Sequence, residues 1–266
     1  MFTHFLLTFI VSTNLLLSSA MSMSMPPTKK SKPSPTPKTI TFIRHGRTFA
    51  NEYLSKTHQW GAPDFTDDAG LHDSPLNEKG VSQATLLKTT LRSSLSVSPS
   101  STIVLVSPLT RTLDTFKLSS EGGIYDGCKI KACKFLAERT YLVSDNGKPL
   151  SELKKNYKNV DFFDIEEEEW WFDYSRDVGG EYTEWRPNDA QQKYLIDGEP
   201  DEYFENRMMQ LYEHLEQLPE EKIICYTSWG VIREITGKDH VRNCEICEVT
   251  IEELRRRMGE KKKSKL

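Results

Sequence analysis

The chain has 266 residues, of which 28% are charged, and its formal net charge is −4. This length is enough for one sizeable α/β domain with insertions, and the slightly acidic balance argues against a nucleic-acid-binding protein. The five cysteines are odd in number and scattered, which argues against a disulfide framework. Cys244 and Cys247 form one CxxC motif without two further ligands at matching spacing, so we predict no metal site.

The N-terminal segment, residues 1–20, is apolar but too short and broken for a membrane span. It ends in Ser18-Ser19-Ala20, which resembles the cleavage site of a signal peptide, although no basic residue precedes Lys29. We therefore predict a secretory signal or the start of an organellar import signal. Residues 21–38 are rich in Ser, Pro, Thr and Lys, a composition typical of a disordered linker.

The first predicted strand leads directly into three chemically distinctive residues. Thr39–Ile43 is rich in β-branched residues, and Arg44, His45 and Gly46 follow it. Open α/β sheets hold ligands at the carboxyl ends of their strands. There an imidazole can act as a nucleophile, an arginine can bind two phosphate oxygens, and a glycine lets the backbone approach a ligand. The triplet therefore indicates a histidine that attacks a phosphoryl group; the alternative is a solvated surface turn.

This triplet, with Thr48 and Asn51 after it, resembles the N-terminal motif of the histidine phosphatase superfamily, which includes the phosphoglycerate mutases. The resemblance implies that His45 is the catalytic nucleophile and becomes phosphorylated. It also implies that Arg44 and Asn51 bind the phosphate group.

A second family-like passage leads into a helix. The family's D-x-x-L-T-x-x-G-x-x-Q-A pattern is matched from Asp73 to Ala84, with Asn77 in place of the usual threonine. Apolar residues then recur at three- and four-residue steps, which predicts an amphipathic helix from about Lys79. We expect these residues to have a structural role.

The second predicted strand, Thr102–Val106, is a continuous apolar run of the kind that is buried on both faces. Arg111 follows it, in the expected first turn of a helix after Pro108. By resemblance to the family's S-x-x-x-R segment, Arg111 is the second phosphate ligand. The alternative is a solvated helix residue.

A third strand is predicted over Lys131–Leu136, and Glu138 follows it. By resemblance, Glu138 is the general acid that protonates the leaving oxygen and then the base that activates water. The alternative is a surface ion pair between Glu138 and Arg139.

Residues 140–200 form the segment in which family members differ, and which sets their choice of substrate. Its acidic run, Glu166–Glu169, predicts a solvated helix face with Trp170 and Trp171 packed beneath it. A helix with a core stripe is then predicted over Asp201–Leu218, and a strand over Lys222–Tyr226.

The family pattern fails after this strand. Members read S/T-H-G-G-x-I, whereas this chain reads TSWGVI from Thr227 to Ile232. The resemblance therefore puts Ser228 in the phosphate site at the position of a second catalytic histidine, and Trp229 at that of a glycine. Losing one such hydrogen-bond donor typically costs about 10²–10³ in turnover. His58 or His72, in a loop, could supply the missing imidazole.

The C-terminal segment, residues 258–266, is basic and ends in Ser264-Lys265-Leu266, the pattern of a peroxisomal address. We predict that this tail is exposed and disordered. A peroxisomal address conflicts with an N-terminal secretory signal, so peroxisome and secretory or organellar compartments stand as alternatives.

The sequence thus predicts a three-layer α/β/α domain over residues 39–257, with a mostly parallel central sheet. The predicted activity is hydrolysis of a small phosphomonoester through a phosphohistidine on His45, without a metal or organic cofactor. The alternative, which Ser228 favours, is a catalytically impaired pseudophosphatase that binds a phosphorylated ligand or acts as a scaffold.

Overall fold

The structure, a computed structural model, describes residues 37–56, 71–179 and 198–264. The predicted N-terminal segment, nearly all of the predicted linker, His58 and the last two residues of the chain lie outside the described residues. Within the described part of the chain, no helix combines the length and the apolar character that a membrane crossing needs.

A five-stranded sheet forms the centre of the domain, in the spatial order β3-β2-β4-β1-β5. The strands are β1 (Thr39–Arg44), β2 (Thr102–Val106), β3 (Lys129–Ala132), β4 (Lys222–Thr227) and β5 (Ile246–Thr250). The first four strands in this spatial order are parallel to their neighbours, and β5 runs antiparallel to β1. The prediction of a mostly parallel sheet is confirmed.

Helices cover both faces of this sheet. The helices of the described residues are α1 (Phe49–Lys56), α2 (Glu78–Ser94), α3 (Thr110–Ser120), α4 (Leu150–Asn156), α5 (Tyr174–Asp177), α6 (Asp201–Gln217), α7 (Trp229–Thr236) and α8 (Ile251–Ser264). One apolar core joins the sheet to α6, α7 and α8 through residues such as Met208, Ile232 and Leu254. A second core joins the sheet to α2 and α3 through residues such as Leu91 and Leu113. The domain therefore has the predicted three layers.

The third strand differs from its prediction. It begins at Lys129 and ends at Ala132, and a 3-10 turn follows over Lys134–Leu136. The N–H of Cys133 makes the last hydrogen bond to β2, at Val106, and the chain then turns away from the sheet because the N–H of Leu136 bonds back to Cys133.

The prediction of a helix over the acidic run was wrong. Residues 166–169 are exposed but irregular, and the carboxylates of two of them bind groups in separate parts of the chain: Glu167 pairs with Lys134, and Glu168 accepts from the backbone N–H of Ser151 near the start of α4. Trp170 packs into the second apolar core, as predicted.

The predicted disordered tail is helical as far as Ser264. The last helix, α8, continues to this residue. Met258 is buried in the first apolar core, and Lys261 pairs with Glu234 of α7. These contacts hold α8 against the domain beyond residue 257, the predicted end of the domain.

Candidate active site

A cavity of about 560 Å³ opens at the edge of the sheet where the parallel strands end. Five of the six predicted site residues line it: Arg44, His45, Asn51, Arg111 and Glu138. They come from four parts of the chain, namely the end of β1, helix α1, the first turn of α3 and the segment after β3. The parallel sheet brings these parts together because the carboxyl ends of its strands share one edge.

His45 is held in one orientation at the floor of this cavity. Its side chain is only 4% exposed, and its backbone N–H donates to Thr227 of β4 over 3.0 Å. The ring Nδ1 lies 2.7 Å from the carbonyl oxygen of Gly46. A carbonyl can only accept, so in the neutral ring Nδ1 carries the hydrogen and Nε2 keeps its electron pair. The free nitrogen is therefore Nε2.

Burial lowers the pKa of His45 well below its ordinary value, and the positive charges of Arg111 and Arg44 lower it further. Both effects disfavour the charged imidazolium. The hydrogen bond to Gly46 acts in the opposite direction and is weaker than these effects. The imidazole is consequently neutral near pH 7, the state in which it can act as a nucleophile.

The two arginines beside His45 each have a buried Nε without a hydrogen-bond partner. Arg111 donates to the carbonyl of Ser144 over 2.6 Å and pairs with Asp145 over 2.9 Å, in both cases through its terminal nitrogens. Arg44 donates from Nη1 to Val241 over 2.7 Å. Among the described residues, five buried side-chain nitrogen or oxygen atoms lack a hydrogen-bond partner, and Nε of Arg44 and Nε of Arg111 are two of them. Both arginines line the cavity beside His45, and their positive charges make this part of the cavity a suitable place for an anion.

The start of α3, which carries Arg111, is fixed by Asp73. The Asp73 carboxylate accepts from the backbone N–H of Thr110 over 3.0 Å and also from the hydroxyl of the same residue. One turn later, Thr115 accepts from the N–H of Gly46 over 2.9 Å. These contacts tie Arg111 to the loop that carries His45, which agrees with the structural role predicted for Asp73.

Glu138 is held across the cavity by two backbone donors. The N–H of Arg139 donates to Oε1 over 2.9 Å, and that of Gly230, in the first turn of α7, donates to Oε2 over 3.1 Å. Burial raises the pKa of Glu138, and the negative charge of Asp145 raises it further, although Arg111 opposes this. Such a carboxyl group holds its proton more readily than an exposed one.

The alternative of a Glu138–Arg139 ion pair was wrong. The Arg139 guanidinium instead pairs with Asp201, and its Nε donates to the carbonyl of Glu199 over 2.8 Å. The Arg139 side chain points towards the start of α6. The Glu138 carboxylate therefore accepts hydrogen bonds from backbone N–H groups instead of pairing with Arg139.

Ser228 follows β4 directly but lies behind the cavity wall. It precedes α7, has no exposed surface and does not line the cavity, and its hydroxyl is another of the buried atoms without a partner. Trp229 does line the cavity, with 36% of its surface exposed, and its Nε1 donates to the carbonyl of Asp239 over 2.8 Å. His72 is exposed and does not line the cavity either, so it supplies no imidazole there in this structure.

Sequence reasoning missed Asp145. Besides pairing with Arg111, its carboxylate accepts from the backbone N–H groups of Tyr141 and Leu142 over 3.2 and 3.1 Å. No motif marks this residue; the available signal was an acidic residue three positions after Leu142, a spacing typical of a carboxylate that binds the N–H groups at a helix start. In the described part of the chain, no group of three or more His, Cys, Asp or Glu side chains is placed to hold a metal ion.

The profile of the histidine phosphatase superfamily (branch 1) matches residues 40–258 of the chain. Among solved structures, the chain is similar to phosphoglycerate mutase from Thermus thermophilus, with 19% identity, coverage of 79% of this chain and 92% of that one, and a TM-score of 0.42. A candidate α-ribazole-5′-P phosphatase from Escherichia coli is 20% identical, with coverages of 76% and 80% and a TM-score of 0.45. The product of open reading frame Rv3214 from Mycobacterium tuberculosis is 17% identical, with coverages of 79% and 89% and a TM-score of 0.44. A comparison with curated protein sequences gave no match.

Proposed function

The chain belongs to the histidine phosphatase superfamily, and from this membership, which supports a phosphatase-type function, we propose that it hydrolyses a small phosphomonoester through a phosphohistidine on His45. One observation carries the proposal: Arg44 and Arg111 line the same cavity as His45, their positive charges act on its imidazole, and Nε2 of that imidazole is free. An anion bound by these two guanidinium groups would lie beside that nitrogen.

In the first step, Nε2 of His45 attacks phosphorus and the bond from phosphorus to the ester oxygen breaks. Glu138 gives its proton to the departing oxygen, which leaves as an alcohol. Arg44 and Arg111 stabilise the charge on the phosphoryl oxygens, and Asn51 binds at the same group. The hydrogen bond from Nδ1 to Gly46 persists and holds the ring in line.

In the second step, water attacks the phosphohistidine. The Glu138 carboxylate takes the proton from the water, the nitrogen–phosphorus bond breaks, and inorganic phosphate leaves. His45 is then neutral again and Glu138 is protonated again, so the cycle closes without a metal or another co-reactant. The raised pKa of Glu138 favours the protonated form with which the cycle begins.

A labelled-phosphate experiment tests the mechanism. With a ³²P-labelled aryl phosphate and an alkaline quench, we expect the wild type to give an acid-labile phosphoenzyme and His45→Ala to give none. Glu138→Gln should accumulate the phosphoenzyme, because an aryl leaving group departs without an acid whereas the attacking water still needs a base. Unchanged turnover in His45→Ala would contradict the proposal.

The second candidate is a pseudophosphatase that binds a phosphorylated ligand without turnover. The replacement of a charged imidazole by the neutral, buried Ser228 favours it. Phosphate binding by wild type, Arg44→Ala and Arg111→Ala separates the possibilities. Wild-type binding that both substitutions weaken, without any turnover, would establish this second candidate, whereas an absence of phosphate binding would refute both candidates.

A further inference from the structure

Beyond the predicted residues, the cavity has an apolar wall. Three aromatic and three aliphatic side chains line it: Tyr141, Phe204, Trp229, Ala50, Leu54 and Leu142. A volume of about 560 Å³ is far larger than a phosphate group needs and is typical of a site for a small organic molecule. The wall therefore has room for the alcohol part of an ester.

The remaining arginines of the cavity already have carboxylate partners. Arg139 pairs with Asp201, and its guanidinium lies 4.6 Å from the ring centre of Tyr141. Arg233 pairs with Asp239 over 3.1 Å, and its guanidinium lies 5.2 Å from the ring centre of Trp229. Both arginines thus have a carboxylate partner within the protein and lie against aromatic faces.

Three carboxylates, those of Asp201, Glu205 and Glu234, also line this part of the cavity, and Glu234 pairs with Lys261 of α8. A second anionic group on the substrate would therefore meet no excess of positive charge there. The wall consequently suits an uncharged group better than a carboxylate or a second phosphate.

Trp229 is next to the point at which the leaving oxygen would be protonated. The following residue, Gly230, donates its N–H to the Glu138 carboxylate over 3.1 Å. Glu138 and Trp229 line the same cavity, so a leaving group whose oxygen contacts Glu138 has the ring of Trp229 within the space open to it. We propose that the substrate is a phosphomonoester of a flat, apolar alcohol without a second negative charge, and that Trp229 is the residue that selects it.

This inference rests on the proposed function, because it names the substrate class of the same cavity. Its test is a binding experiment that needs no turnover. Calorimetry would compare 1-naphthylmethylphosphonate, methylphosphonate and phosphonoacetate, which share one phosphonate and differ in the attached group. We expect the naphthyl compound to bind at least about tenfold more tightly than methylphosphonate, and phosphonoacetate to gain nothing, because aromatic contact and burial favour the flat ring.

Substitutions of Trp229 test whether this residue causes the preference for the naphthyl compound. In Trp229→Ala the ratio of the naphthyl to the methyl affinity should fall below about threefold, whereas Trp229→Phe should keep most of it. Tyr203→Ala is the matched control, since Tyr203 is similarly exposed (39%) but lines the neighbouring cavity around Trp170 and Trp171 instead.

The outcomes are distinct. Equal binding of the three phosphonates, tighter binding of phosphonoacetate, or an unchanged ratio in Trp229→Ala would overturn the inference while the proposed function stands. If neither the phosphonates nor inorganic phosphate binds, the result refutes the proposed function itself, and the inference falls with it.

Discussion

Ser228 and Trp229 are consecutive residues at the start of α7, so we expect their substitutions to be coupled. Ser228 has no exposed surface, and we expect a histidine there to need the room that replacing Trp229 by glycine would create. We expect Ser228→His with Trp229→Gly to raise kcat for p-nitrophenyl phosphate by about tenfold to a thousandfold, as one recovered donor would. The gain should exceed the product of the two single effects.

Saturating substrate is essential in this measurement, because Trp229→Gly also removes a wall of the cavity. A double variant that folds and binds phosphate but remains no faster than the wild type would show that the missing imidazole is not the main defect.

His45 should make the stability of the protein depend on pH. Its folded-state pKa lies well below the unfolded value of about 6.5, so below this pH the unfolded chain takes up a proton that the folded chain refuses. The free energy of unfolding should therefore fall as pH falls through this range, by up to about 1.4 kcal/mol per pH unit.

Urea unfolding of wild type and His45→Asn, between about pH 7.5 and about pH 5.5, isolates this effect. The other histidines contribute equally to both proteins. We expect the free energy of unfolding to fall more in the wild type than in His45→Asn when the pH is lowered. A pH-independent difference would mean that His45 titrates normally in the folded state.

At the scale of elements, the first turn of α7 approaches Glu138 closely enough to require a glycine. A β-carbon at Gly230 would lie 2.1 Å from Glu138 Oε1, so Gly230→Ala must displace the carboxylate. We expect kcat to fall at least about tenfold, while inorganic phosphate, which we propose to bind at the arginines, keeps its affinity to within about threefold.

The matched control is Gly259→Ala in α8, where an added β-carbon meets no atom within 4 Å. This change should leave kcat unaltered and should slightly stabilise the helix. Equal losses of kcat in the two variants would indicate a general effect on folding rather than a displaced acid.

Elements with a strong apolar pattern could be predicted from the sequence. The run Thr102–Val106 coincides with β2, whose five residues are all buried, and the stripe after Asp201 forms α6. Residues 166–169 could not be predicted, because a run of charges indicates exposure but not conformation. Their partners, among them Lys134, lie far away in the sequence.

The same limit applies to the candidate site. The rule that ligands bind at the carboxyl ends of parallel strands predicts that Arg44, His45 and Arg111 lie together, because a parallel sheet fixes where its strands end. It cannot supply Asp145, which lies 34 positions from Arg111 along the sequence and follows no strand. Nor does it reveal that Ser228 is withdrawn from the cavity, since that depends on how α7 packs.

For the whole molecule, phosphate should act as a stabilising ligand. The two arginines proposed to bind it, Arg44 and Arg111, line one cavity only in the folded chain, so binding should shift the folding equilibrium by about 2.7 kcal/mol at a hundredfold excess over Kd. We expect thermal unfolding to move to higher temperature with phosphate in the wild type and much less in Arg44→Ala.

Arg242→Ala is the control for charge alone, because Arg242 is exposed and lies near Arg44 but does not line the cavity. It should respond to phosphate as the wild type does. A midpoint that is independent of phosphate in the wild type would contradict a phosphate site in this cavity.

The position of β1 has a consequence for biosynthesis. It is the first described strand to leave the ribosome, yet its neighbours in the sheet are β4 and β5, the last two. His45 therefore lacks its contacts with Thr227 and Asn243 until nearly the whole chain has been made. Distant pairings of this kind form slowly, and the waiting strand exposes its unpaired backbone to chaperones. A nascent chain thus carries His45 without these contacts, and the candidate site can assemble only when synthesis has passed β5.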